Sequence, residues 1–365
     1  MILDPQKPII ITGGHHNSAL VIARALKQAG YSIHWLGHRH TMIGDPHDSL
    51  EYLEVQNAQI PFHSVFAGKF HPQANPWHLL RLPLGFIHAL WLLIRLRPQL
   101  ILAFGGYLAV PVGIVGWILR IPLILFEQTT TVGRGTKLLS RLSRYNFLAW
   151  ESSLPFFPQK NTQVVGLPIP DELTAKTHPK KFSLPTILIT GGKQGAHVLN
   201  QATFPIIRNL VANYIVIHQT GLSLRSFDIH QAQIIKSSLP QSLRSHYQPH
   251  AFLETSDMIS YLKQSDLVLS RAGAHICAEL LALGKPCILI PLPFSYNAEQ
   301  QKNAAVLKRV GLATILDQSQ LNSQNLAKTI ASVFKNYSKF AAHKKAAQKL
   351  IRRGAKAAII QYLLN

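Results

Sequence analysis

The stretch Thr186–Ala196 reads TILITGGKQGA, and near its start the chain carries a counterpart, PIIITGGH at Pro8–His15. In each, a short β-branched run meets two glycines, and apolar residues at helical spacing follow, over Ser18–Ala29 and over Ala196–Ala212. Such a run suits a strand buried on both faces, because branched side chains pack well on a pleated surface. Glycine then lets the backbone turn sharply into the helix. Strand, glycine turn and helix in that order form the repeating unit of a parallel α/β sheet.

The same grammar extends outward from both stretches. In the first half Tyr31–Leu36, Leu100–Phe104 and Pro122–Phe126 are predicted strands; Gly105-Gly106 and a helix over Leu108–Leu119 follow the second of them. In the second half Tyr214–His218, Leu267–Ser270 and Cys287–Pro291 are predicted strands, each leading through a turn into a helix. The predicted fold is therefore α/β, with two Rossmann-like, doubly wound parallel-sheet domains. Pro168–Pro185 contains Pro168, Pro170, Pro179 and Pro185 among several lysines, a composition that suits a hinge. This places an amino-terminal domain at 1–165, a linker at 166–184 and a carboxyl-terminal domain at 185–340.

Length agrees, because 365 residues exceed what one core of about 250–300 residues supports. With 47% hydrophobic and 15% charged residues, the chain is too apolar to be disordered throughout. Lys and Arg number 37 against 16 Asp and Glu, a net charge of +21 that calls for an anionic partner: nucleic acid, an anionic membrane face or phosphate-bearing substrates. The basic residues are scattered and not interleaved with aromatics, and no nucleic-acid motif occurs, which excludes the first. Cys277 and Cys287 both lie in apolar runs, so neither a disulfide framework nor a cysteine-based zinc site is expected. The opening MILDPQKPII reads as the approach to a core strand rather than as a signal peptide.

Trp77–Arg97, WHLLRLPLGFIHALWLLIRLR, stands apart. Its uncharged run Leu82–Ile94 is shorter than the ~20 residues that span a bilayer. It reads either as a buried crossover helix or as a helix lying on a membrane with arginines at headgroup level, and both hold if opposite faces serve the two roles. Membrane docking further predicts that the basic residues concentrate on the amino-terminal domain near this segment.

Ligands of parallel α/β sheets bind at the carboxyl ends of the strands, where helix N-termini favour phosphate. Four glycine turns occupy such places: Gly13-Gly14-His15, Gly105-Gly106-Tyr107, Gly191-Gly192-Lys193-Gln194-Gly195 and Arg271-Ala272-Gly273-Ala274. The first does not continue as G-x-G-x-x-G, and no G-x-x-x-x-G-K-[ST] occurs, which argues against a nicotinamide dehydrogenase and a P-loop nucleotidase.

The ordered motifs TGGH, FGGYLAVP, IPLILFEQ, GGKQGA, HQTG, RAGA, AELLALGKPCILIPLP and QQKNA resemble those of the MurG-type glycosyltransferases of glycosyltransferase family 28, and they cover nearly the whole chain. The resemblance implies a GT-B fold, two domains facing a central cleft, with a C-terminal helix at 341–365 packing back on the amino-terminal domain. It implies inverting transfer of N-acetylglucosamine from UDP-N-acetylglucosamine to an undecaprenyl-diphosphate-linked muramyl peptide, lipid I to lipid II, in peptidoglycan synthesis. It implies no cofactor and no metal, a polyprenyl-diphosphate lipid acceptor, and peripheral attachment to the anionic cytoplasmic face of the cell membrane. Alternatives are another lipid or glycolipid acceptor on the same fold, or a nucleotide-sugar-binding protein without catalysis.

Carried over residue by residue, Gly191, Gly192, Lys193, Gln194, Gly195, Gly273 and Ala274 would surround the donor diphosphate, with Arg271 also on the donor side. Glu279 would accept from the ribose hydroxyls, against the alternative of a solvated helix carboxylate. Gln300 would hold the donor sugar, and Asn303 completes the donor set. Gly13, Gly14, Tyr107, Gln128 and Thr129 would face the acceptor. An inverting transfer needs a proton acceptor, and His15 is the candidate, or else a contact to acceptor phosphate. Glu127 is either a second catalytic candidate or a structural carboxylate. Against the family pattern, Ser18 stands for Pro, Thr129 for Asn, Lys193 for Ser and Pro170 for Arg, and Lys193 is read as replacing the lost cation.

Overall fold

The computed structural model describes residues 3–14, 16–40, 48–66, 81–130, 132–175, 182–222, 227–352 and 354–365. The chain divides into two units, Met1–Ile169 with Arg352–Asn365, and Pro170–Ile351.

The first unit is built on a parallel sheet of β1 (Ile9–Thr12), β2 (Ile33–Gly37), β3 (Phe62–Ser64), β4 (Leu100–Ala103), β5 (Leu123–Glu127), β6 (Tyr145–Leu148) and β7 (Thr162–Val164), in the order β3-β2-β1-β4-β5-β6-β7. Its helices are α1 (His16–Gln28), α2 (Leu50–Asn57), α3 (Arg81–Leu96), α4 (Ala109–Ile118) and α5 (Arg134–Leu142). Ile9, Ile10, Ile11, Leu100, Ile101 and Leu125 are buried, as expected of central strands covered on both faces. The order reverses between β1 and β4, and their two glycine turns touch there. A Cβ on Gly14 (φ +126°) would stand 2.7 Å from the Gly105 carbonyl oxygen, so only glycine allows the two loops this approach.

The second unit repeats the plan with β8 (Thr186–Thr190), β9 (Ile215–Gln219), β10 (Tyr247–His250), β11 (Leu267–Ser270), β12 (Cys287–Leu289) and β13 (Ala313–Ile315), all parallel, in the order β10-β9-β8-β11-β12-β13. The switch point is β8/β11. Its helices are α6 (Asp171–Thr174), α7 (His197–Thr203), α8 (Ile207–Leu210), α9 (Asp228–Ser238), α10 (Thr255–Gln264), α11 (Ala274–Leu283), α12 (Glu299–Arg309), α13 (Ser323–Lys335), α14 (Tyr337–Ala342) and α15 (Lys344–Leu350). The helix expected over Ala196–Ala212 is broken into α7, a 3-10 turn at Phe204–Ile206 and α8. Pro205 lacks the N–H that a continuous helix needs at that point.

The chain leaves the first unit after Ile169 and re-enters it at Arg352. α15 packs on α11 in the second unit, whereas α16 (Ala355–Leu364) packs on α1. Tyr362 stacks on Tyr145 of β6 at 4.2 Å, and Ile359 and Leu363 are buried. Arg352 secures the re-entry: its guanidinium donates to the Val164 carbonyl at 3.0 Å and pairs with Glu151 at 2.6 Å.

Candidate functional site

At the β8/β11 switch point, Thr190, the last residue of β8, shapes the first donor-side turn. Its Oγ1 accepts from the Gly192 N–H at 3.0 Å and donates to Gln219 Oε1 at 3.1 Å. Gly192 (φ +83°) and Gly195 (φ +80°) adopt left-handed backbone, and a Cβ on Gly195 would stand 2.9 Å from the Gly221 Cα. The turn is thus wedged against the loop after β9. Gly273 is the N-cap of α11, and a Cβ placed on it would meet nothing within 4 Å, so space is open beside the first turn of that helix. Glycine-lined space at the start of a ten-residue helix is suited to an anion.

Gln300 stitches two loops of this site together, its Oε1 accepting from the N–H of Ala272 at 3.3 Å and of Leu292 at 2.9 Å. Asn303 is buried and donates to the Ala272 carbonyl at 3.1 Å. It therefore braces the Arg271–Ala274 turn from behind, a supporting place rather than one at the surface of the site. Arg271 donates to the Ile290 carbonyl at 3.2 Å, which ties the same turn to β12's end. Glu279 keeps part of its surface but is densely surrounded, and that burial pushes its carboxyl up to about 7, partly offset by the Lys193 ammonium. Lys193, in the turn after β8, thus acts electrostatically on Glu279 of α11. Gln194 stays exposed at the tip of its turn.

In the first unit Glu127, the last residue of β5, is buried, and its Oε1 accepts from both the N–H (2.9 Å) and the Oγ1 (2.7 Å) of Thr129. Gln128 accepts from Ser18 Oγ at 3.1 Å, and its carbonyl takes the Trp150 indole N–H at 3.0 Å. Ser18 and Thr129, two of the departures from the family pattern, are thus bonded to the Glu127-Gln128 pair. Tyr107 stacks on His38 at 5.5 Å between centroids. Burial, and secondarily the Glu51 carboxylate, push its phenol up to about 12. His15 lies outside the described residues.

Glu51 and His38 are additions that spacing did not reveal. The Glu51 carboxylate accepts from the buried Trp35 indole at 2.7 Å and lies between Gly13 and Gly37, where a Cβ on Gly13 would collide with it. Burial raises its pKa, against the opposing effects of the Trp35 hydrogen bond and of His16. Gly13 leaves the room this carboxylate occupies. Of its surroundings only the Ser49 cap ahead of LEYLE was readable, accepting from Tyr52 N at 3.2 Å and starting α2.

α3 serves two surfaces. Ala89, Leu92 and Leu93 are buried, while Leu84, Ile87, Leu90, Trp91 and Ile94 form an exposed row, with Trp117 and Ile118 of α4 also exposed. The Arg95 guanidinium lies over the Trp91 ring at 5.2 Å. No helix among the described residues is long and apolar enough to cross a membrane. The expected concentration of charge is not found: 17 Lys and Arg fall in the first unit and 20 in the second. This even spread counts against membrane docking through charge, and the exposed apolar row is what remains in its favour.

Two doubly wound parallel sheets in one chain, each with glycine turns at its switch point, define the GT-B class. The model of the glycosyltransferase family 28 N-terminal domain matches residues 10–145, and that of the C-terminal domain matches 186–359. A relative from Hahella chejuensis, named UDP-N-acetylglucosamine--N-acetylmuramyl-(pentapeptide) pyrophosphoryl-undecaprenol N-acetylglucosamine transferase, is 31% identical over 363 residues, covering 96% of this chain and 94% of its own. One of the same name from Alkalilimnicola ehrlichii is 33% identical over 336 residues, covering 88% of both. The crystal structure of Acinetobacter baumannii MurG superposes with a TM-score of 0.70 at 23% identity, covering 98% of both chains. The chain belongs to glycosyltransferase family 28 and is a glycosyltransferase.

Proposed function

We propose that this enzyme transfers N-acetylglucosamine from UDP-N-acetylglucosamine to N-acetylmuramyl-(pentapeptide) pyrophosphoryl-undecaprenol, the lipid I to lipid II step, with inversion at the sugar. The carrying observation is the β8/β11 switch point, where two glycine turns, Lys193 and Glu279 converge in a chain whose relatives bear that activity in their names. The Gly191–Gly195 turn, in which the Gly192 and Gly195 N–H groups already bond Thr190 Oγ1 and the Gly192 carbonyl and so fix its shape, and the N–H groups of the Gly273–Ala274 helix start would hold the diphosphate, with Lys193 as a point charge. Glu279 would accept from the ribose hydroxyls. The side-chain oxygen of Gln300 is taken by two backbone groups, which leaves its amide N–H groups for the donor sugar.

In the reaction an acceptor hydroxyl attacks the anomeric carbon, the bond to the diphosphate oxygen breaks, and UDP departs with the electron pair. The hydroxyl proton passes to a base, for which His15 is suited by residue type and by its place after Gly14. Glu127 is the weaker candidate, since its carboxylate already serves Thr129. Charge on the departing diphosphate is met by fixed N–H groups and Lys193, and no metal is assigned. The exposed α3 row would rest on the cytoplasmic membrane face, at the level where a lipid acceptor presents its diphosphate.

Purified protein, UDP-N-acetylglucosamine and the muramyl-peptide lipid test this together. UDP release with this lipid, and none with diacylglycerol, is expected. Release only with another acceptor would overturn the acceptor assignment, and donor binding without release on any acceptor would leave a nucleotide-sugar-binding protein.

A further inference from the structure

Behind the Gly191–Gly195 turn runs a line of buried polar side chains that none of the roles above uses. His218 of β9 is fully buried; its Nδ1 lies 3.0 Å from the Tyr247 hydroxyl and its Nε2 3.0 Å from Asn200 Oδ1. Asn200 of α7, also fully buried, donates through Nδ2 to the Thr220 carbonyl at 2.8 Å and to Asp228 Oδ2 at 2.6 Å. Asp228, at the start of α9, is buried too, and its Oδ1 meets His197 Nδ1 at 2.9 Å and Gln201 Nε2 at 3.4 Å.

Donor and acceptor arithmetic fixes every proton in this line. Both amide hydrogens of Asn200 point at oxygens, so its Oδ1 is the acceptor and His218 Nε2 must carry a hydrogen. His218 Nδ1 then accepts from the Tyr247 hydroxyl. Burial, with Asp228 opposing, pulls the imidazole pKa down to about 3, so the neutral Nε2–H form is the one that fits. A buried network satisfied in this way has a single arrangement.

Its outlet is the Thr220 carbonyl. That oxygen and Gly221 are the atoms a Cβ on Gly195 would strike, and the Leu222 N–H donates to the Lys193 carbonyl at 3.1 Å. The loop after β9 therefore presses on the donor turn at Lys193 and at Gly195, and Asn200 holds that loop. We propose that Tyr247, His218, Asn200 and Asp228 form a positioning network for the nucleotide diphosphate, fixing Thr220–Gly221 against Gly195 so that the turn carrying Lys193 keeps the shape that receives the phosphates. This rests on the donor reading above. It separates recognition of the diphosphate, which depends on the network, from recognition of the nucleoside, which depends on Glu279 and α11.

Calorimetric titration of the full chain with UDP and with uridine tests it without any acceptor. His218→Phe and Asn200→Ala are expected to weaken UDP binding about tenfold or more while shifting uridine by less than about twofold. His218→Gln, which can return an N–H to Asn200, should recover most of the loss. If neither larger change folds, Tyr247→Phe decides, with an expected selective loss of about threefold for UDP. Unchanged UDP affinity, or equal loss for UDP and uridine, would overturn the network and leave the donor reading standing. A wild-type chain that binds no UDP would overturn both. In nitrogen-15 spectra His218 should hold the Nε2–H signature from pH 5 to 8, and a titration in that window would overturn the proton assignment.

Discussion

Trp91 offers the most direct check on whether apolar area attaches this enzyme to a bilayer. Its side chain is 52% exposed in the row made by Leu84, Ile87, Leu90 and Ile94, with Arg95 over its ring. An aromatic side chain of this kind withdraws about 200 Å² on full burial, so about 100 Å² remains to be withdrawn into the acyl boundary. At ~25 cal/mol/Å² that is ~2.5 kcal/mol, or about 70-fold in partitioning. Removing the Arg95 charge costs ~1 kcal/mol at an anionic surface, about fivefold. Because the basic residues are shared almost evenly, 17 and 20, between the two units, docking should depend on apolar area more than on charge. Co-sedimentation with phosphatidylethanolamine–phosphatidylglycerol vesicles is the assay. Trp91→Ser should lose most bound protein while remaining folded by circular dichroism at the assay temperature, and Arg95→Gln should lose less. Equal partitioning of wild type and Trp91→Ser, or a larger loss for Arg95→Gln, would refute the reasoning.

Three further outcomes are expected. Glu279, pushed from 4.5 to about 7, favours its protonated form in the free protein, so its contribution to stability is full below pH 4.5 and is lost as pH rises through 7. Ribose hydroxyls favour the carboxylate, so UDP affinity should rise across that upper range with proton release, seen as a buffer-dependent binding enthalpy that Glu279→Gln abolishes. Gly14→Ala combines φ +126° with a 2.7 Å clash on Gly105, whereas Gly30→Ala has φ +88° and open space. Urea unfolding should show about 1 kcal/mol lost for Gly30→Ala and clearly more for Gly14→Ala; equal losses would remove the inter-loop contact from the account. Glu51→Leu strands the buried Trp35 indole N–H and should cost about 1–3 kcal/mol by the same measurement, with Glu51→Gln recovering much of it.

What the residues disclosed in advance follows the strength of their local chemistry. Buried runs such as Ile9–Thr12 and Thr186–Thr190 declare themselves by branched side chains and by the glycines after them, and these are the strands beside the two switch points. The short outer strands Phe62–Ser64, Thr162–Val164 and Ala313–Ile315 are three residues each, too brief for any alternation to register. Motif order brought Lys193, Glu279, Gln300 and Asn303 to one end of the second sheet. It could not say that Asn303 braces the turn from within, since that depends on an α12 side chain reaching Ala272 across 31 positions. Glu51, Trp35 and His38 were invisible for the same reason, and the link between Asp228 and Asn200 exists only once α7 and α9 are packed together.

The return of the chain into its first unit also sets an order of events during synthesis. The second unit is one unbroken segment, Pro170–Ile351, and can close while the remainder is still being made. The first unit, although its strands emerge first, lacks α16 until Ala355–Leu364 has left the ribosome. Until then Tyr145 lacks the Tyr362 ring that stacks on it and the α16-facing side of α1 is bare. At ~5–20 residues per second the nascent first unit waits on the order of ten seconds or more with apolar surface uncovered. Removing α16 would therefore injure the first unit and spare the second.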